Sequence, residues 1–116
     1  MIKMLFKKKK DDKLTVECWN LDYYLIIWLN KHLKQYLEDA SRIVDLDFEK
    51  FHYKGKEITY REALIMLIDD TDWLLSCSAY DYMRDAEQNN GNIKEINAKK
   101  DEMYDLLKLV HWQLWW

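Results

Sequence analysis

Proline is absent from the 116 residues, and glycine occurs only at Gly55 and Gly91. Proline removes an amide donor and glycine supplies the left-handed backbone of tight turns, so their scarcity favours long helices over short, turn-linked strands. Cysteine is almost as rare. Cys18 and Cys77 lie in apolar stretches without metal-ligand spacing, which predicts two reduced, hydrophobe-like thiols and no disulfide or zinc framework. No apolar run, Leu25 to Leu29 included, nears the length of about 18 residues that reads as a membrane span, so a cytoplasmic protein without a membrane segment is expected. An excess of positive charge is missing too. At a net charge of -3 the chain has little with which to displace phosphate counterions, and general nucleic-acid binding is not expected.

What the chain has is apolar surface: 49% of its residues are hydrophobic, enough to order one domain spanning residues 1–116 by burial. Residues 1–13, with the run Lys7 to Lys10, read as a flexible basic tail. The alternation of Leu14, Thr15, Val16 and Glu17 then suits a short extended arm.

An all-α fold is predicted, a three-helix bundle with helix A at about 21–40, helix B at about 60–88 and helix C at about 93–114. Asn20 can cap helix A, and Asp22 suits the positive end of its dipole. Along it Leu21, Leu25, Trp28, Leu29, His32, Tyr36 and Ala40 recur at steps of three and four and are expected to form its core face. Ile26, Ile27 and Leu33 fall off that stripe, so helix A needs cover from a second direction, for which a partner subunit is one source. The rhythm lapses over 41–58, where Gly55 leaves room for a small hairpin near 51–58. Thr59 and Glu62 have capping-box spacing, which marks the start of helix B. Leu64, Leu67, Thr71, Leu74, Ser78 and Tyr82 form its main seam, with Met66, Trp73, Cys77 and Tyr80 along another side. Asn89 to Asn92 should end it. In helix C, Ile93, Ile96, Met103, Leu107, Val110 and Leu114 hold the same rhythm, broken at Lys100.

Catalytic and metal signatures are weak, and neither an enzyme nor a cofactor is expected. Asp69, Asp70, Asp72, Asp81 and Asp85 lack the Glu and His partners of helical di-metal sites and read as a solvated acidic face. His32, His52 and His111 are scattered, and Ser76 and Ser78 lack the glycine-flanked turn that exposes a nucleophile.

The run from Cys18 to Leu25, continued by Trp28 and Leu29, has a Trp-x-Leu-Asp helix start at Trp19 to Asp22, and Asp72-Trp73-Leu74 follows on a second helix. This pattern resembles small uncharacterised proteins of tailed bacteriophages. The resemblance covers the start of helix A and part of helix B. It implies a phage origin and, since small phage accessory proteins commonly bind host machinery, a host bacterial protein as partner.

The leading expectation is therefore a non-enzymatic phage-type inhibitor of a host defence or regulatory factor, acting by direct binding as a homodimer. Trp112, Trp115, Trp116, Tyr80 and Tyr82 are the expected protein-binding residues, because aromatic anchors dominate interface energetics. The alternative is a protein that sequesters a signalling nucleotide between helices, with Trp19, Tyr23 and Tyr24 stacking the base and Arg42, Arg61 or Arg84 meeting phosphate. A nucleic-acid-associated phage component, touching its ligand through Lys7 to Lys10, is a further alternative.

Overall fold

The computed structural model describes residues 21–76 and 90–114. Among these, the chain is mostly helical, in the order α1 (Leu21–Ser41), β1 (Lys50–Tyr53), β2 (Lys56–Thr59), α2 (Tyr60–Ser76), α3 (Asn90–Val110) and a 3-10 turn (His111–Gln113). The two strands make a small antiparallel sheet, so the class is not purely α.

The hairpin forms where Gly55 pointed. Tyr53 pairs with Lys56 across a two-residue turn in which Lys54 and Gly55 both have positive φ, 52° and 76°. Two consecutive left-handed residues match the right-handed twist of paired strands. The capping box also forms: Thr59 donates its amide to Glu62 Oε1 at 2.8 Å, and Glu62 donates its amide to Thr59 Oγ1 at 3.1 Å. Loop 42–49 is seated beneath this helix start. The Arg61 amide donates to the Leu46 carbonyl at 3.0 Å, and the Leu46 side chain is fully buried.

Helix α2 is the central element, packing against both α1 and α3, while α1 and α3 meet only marginally. Its seam of Leu64, Leu67, Thr71 and Leu74 is buried as the periodicity predicts. The rest of that seam, Ser78 and Tyr82, and the expected end of helix B near 88 lie outside the described residues, as do Cys18, Cys77 and the tail at 1–13. Helix α3 begins three residues earlier than position 93. Asn90, Gly91 and Asn92 form its first turn, since residues suited to ending one helix are equally suited to opening the next. Ile96, Met103, Leu106 and Val110 are its buried stripe, and Leu107 is half-buried. Among the described residues no helix is long and apolar enough to cross a membrane.

Candidate protein-docking face

Helix α1 is apolar around most of its circumference, so spacing alone cannot say which side faces inward. The structure buries Ile26, Asn30, Leu33 and Ala40. Of the stripe expected to be core, Ala40 is buried and Leu29 and Tyr36 pack partly buried against the core, but Leu21, Leu25 and Trp28 turn outward, 60%, 51% and 56% exposed. Asn30 accounts for the choice. An unpaired buried amide costs several kilocalories per mole in roughly the worst case, so the helix rotates to where the amide finds partners. Asn30 Nδ2 donates to Thr71 Oγ1 at 2.8 Å and to Asp72 Oδ1 at 2.9 Å. Thr71 donates to the Ile68 carbonyl at 2.7 Å, and Lys34 Nζ reaches Asp72 Oδ1 at 2.9 Å. The hydrogen bond from Lys34 holds the Asp72 carboxyl below its ordinary range.

Because α1 and α3 pack on α2 rather than on each other, a groove runs between them. One hollow of about 270 Å³ lies between Leu25, Trp28 and Leu29 of α1 and Met103, Tyr104 and Leu107 of α3, and its walls are almost wholly apolar. A second, of about 340 Å³, continues along α1 past His32 and Tyr36 to Asp39. Trp28 stands at both hollows. Its ring stacks on His32 at 4.3 Å and 25°, and the His32 Nδ1 lies 2.8 Å from the Trp28 carbonyl oxygen, so the indole is braced. Tyr104 is half exposed on the opposite wall.

The far end of the groove is closed by a tyrosine pair. The hydroxyls of Tyr36 and Tyr60 lie 2.9 Å apart, and each is 3.0 Å from the Gln113 carbonyl oxygen. Burial, and then the Tyr36 hydroxyl, push the Tyr60 hydroxyl well above its ordinary range, and the two hydroxyls hold the 3-10 turn in place through the Gln113 carbonyl. That turn presents Trp112, 80% exposed, edge-on to His111 at 5.1 Å. His111 itself lines the first hollow, which connects Trp112 to the groove.

Of the expected protein-binding residues, Trp112 is thus at the surface beside this face, whereas Trp115, Trp116, Tyr80 and Tyr82 lie outside the described residues. Sequence reasoning missed Leu21, Leu25, Trp28 and Tyr104. The signal was present in the second apolar side of helix A, but over its first half the inward side is that of Ile26 and not that of Leu25 and Trp28.

Among the residues expected to bind a nucleotide, Tyr23 and Tyr24 do not converge with Arg42. The two tyrosines meet edge-on at 5.9 Å in the first turn of α1, while Arg42 follows its last turn, about 28 Å away at roughly 1.5 Å per helical residue. Arg42 pairs with Asp39 at 2.8 Å and Arg61 with Asp47 at 3.2 Å, so both guanidiniums already meet carboxylates. Trp19 and Arg84 lie outside the described residues.

The acidic face needs one correction. Asp69 and Asp72 are exposed, but Asp70 is buried between α2 and α3, because position 70 shares the inward side of α2 with Leu67 and Leu74. Burial, and next the neighbouring Glu102, push its carboxyl up to about 7. Asp81 and Asp85 lie outside the described residues. Among the described residues no group of three or more His, Cys, Asp or Glu could hold a metal ion. Compared with protein-family models, curated proteins and solved structures, the chain matches none.

Proposed function

We propose that the chain is a non-enzymatic binding protein, a three-helix bundle that receives an amphipathic helix of a partner protein in the groove between α1 and α3. The observation that carries this reading is the exposed apolar pair Leu25 and Trp28 facing Tyr104 across a groove that no part of the described chain fills. A helix laid in the groove would add a fourth rod to three and cover both walls, with Trp28 and Tyr104 as the anchors.

The rim carries both signs, with exposed Lys31 and Lys108 on one hand and exposed Asp101 and Asp105 on the other, so a partner helix with mixed charges at its flanks complements it. Following the phage resemblance, the partner is a host defence or regulatory protein, inhibited by occlusion of the helix it presents.

Photo-crosslinking in a bacterial cytosol tests the reading, with the reactive side chain at Leu25 or Tyr104, and at Glu57 on the hairpin as control. The expected result is one host protein joined from both groove positions and not from Glu57, reproduced with that protein purified and weakened at least tenfold by Trp28→Ala. Labelling that is equal from all three positions overturns the proposal. Products joining two copies of the chain overturn it in favour of a homodimer.

A further inference from the structure

Loop 42–49 places apolar side chains at Ile43, Val44, Leu46 and Phe48, and only Leu46 is buried. Ile43 and Phe48 stand 67% and 79% exposed, and Val44 is exposed between them and the helix end. The loop that carries them is nevertheless fixed. The Val44 amide donates to the Ala40 carbonyl at 2.9 Å, the Tyr60 amide to the Glu49 carbonyl at 2.9 Å, and the Asp47 amide to Asp45 Oδ1 at 3.0 Å. With Leu46 anchored beneath the start of α2, a loop tied in this way loses little further conformational freedom when something covers it.

Ile43, Val44 and Phe48 form one side of a hollow of about 460 Å³, and Tyr60 and Gln113 form the other. The remaining lining is two exposed carboxylates, Asp45 and Glu49, neither of which has a salt-bridge partner among the described residues. The nearby charges of both signs cancel in pairs: Arg42 with Asp39 at 2.8 Å and Arg61 with Asp47 at 3.2 Å. Lys50 alternates to the face of β1 opposite Phe51, whose ring meets that of Tyr60 at 6.3 Å. The uncompensated charge at the hollow is therefore negative. Covering it with an uncharged apolar surface would strip water from Asp45 and Glu49 without replacing it. A second copy packed symmetrically would bring the same two carboxylates against themselves.

We propose that loop 42–49 is a second docking site, which takes a partner protein segment joining a large apolar side chain to an arginine or lysine. The apolar group covers Phe48 and Ile43, and the cation meets Asp45 and Glu49. None of the groove residues of α1 and α3 lines this hollow, so the site stands independently of what the groove receives.

Selection of a random-peptide library against the immobilised full chain tests it, with amide shifts of the nitrogen-15-labelled chain locating each enriched peptide. The expected result is peptides that combine arginine or lysine with leucine, phenylalanine or tryptophan and shift Ile43, Val44, Phe48 and Gln113. Their affinity should fall by roughly tenfold or more in Phe48→Ser and in the double variant Asp45→Asn, Glu49→Gln, and should be unchanged in Ile65→Ser, an exposed apolar side chain beside β2. All of these replace exposed side chains, and Ile43→Ser supplies the same test should Phe48→Ser lower the melting temperature. Enriched peptides without a cation, shifts that fall on Leu25, Trp28 and Tyr104 instead, or no enrichment at all overturn the proposal. Loop shifts that depend on protein concentration without peptide overturn it in favour of a second copy, and retention on phosphatidylcholine vesicles that Phe48→Ser abolishes overturns it in favour of a membrane surface.

Discussion

Asn30 has more influence on this molecule than its size suggests. Its amide bridges α1 to Thr71 and Asp72 of α2 and so decides which of two apolar stripes is buried. Asn30→Leu keeps a comparable volume but leaves Asp72 without that donor, and it should cost about 1–2 kcal/mol in urea unfolding. Its second expected effect is broadened amide resonances along α1, from loss of a single helix rotation. Asp70 makes a prediction of opposite character. Its folded carboxyl titrates near 7 against about 3.9 in an unfolded chain, so the native state retains a proton that the unfolded state has lost. The resulting stabilisation is fully present below about pH 4 and is lost as pH rises through about 7. Unfolding free energy measured at intervals across that range should therefore fall by something on the order of 3 kcal/mol, and in Asp70→Asn this fall should vanish. Asp72 acts in the reverse sense, contributing stability above its unfolded value that is lost in acid, so the two aspartates must be separated by mutation.

At the scale of the element, the hairpin and the start of α2 behave as one unit, because Thr59 ends β2 and also caps the helix. Thr59→Ala should cost about 1 kcal/mol through the cap, visible as a lower urea midpoint with unchanged slope. At Gly55 a Cβ would meet nothing within 4 Å, so any loss in Gly55→Ala comes from the +76° φ alone. That conformation costs an L-residue about 1–2 kcal/mol. These elements were legible beforehand because their signals are local: a glycine between short strands and a Thr and Glu three residues apart. The seam of α2 was legible for a different reason. It is the central helix, and its strongest periodicity coincides with its most buried side. The start of α3 was misplaced because Asn90 to Asn92 carry the same chemistry whether they end a helix or begin one.

For the whole molecule, the separation between holding the fold and offering a surface is the testable point. Leu67 is fully buried in the centre of α2, and Leu67→Ala should cost about 3 kcal/mol by calorimetry. Trp28 is larger yet half exposed, and Trp28→Ser should change the melting temperature little while abolishing capture by a partner at the groove. A loss of stability comparable to that of Leu67→Ala would instead make Trp28 a core residue. By itself, the sequence determined the helical class, the capping box, the hairpin turn and the inward side of α2, because each rests on contacts within a few residues. Only the tertiary structure decided that Ile26 and Leu33 face inward while Leu25 and Trp28 face out, and that Asp70 is buried beside Glu102. Both outcomes depend on partners supplied by another helix: Thr71 and Asp72, 41 and 42 residues from Asn30, and the α3 residues Lys99 and Glu102 around Asp70. A helix apolar on two sides carries no periodicity that ranks one above the other, and a polar residue's cost depends on the groups it meets.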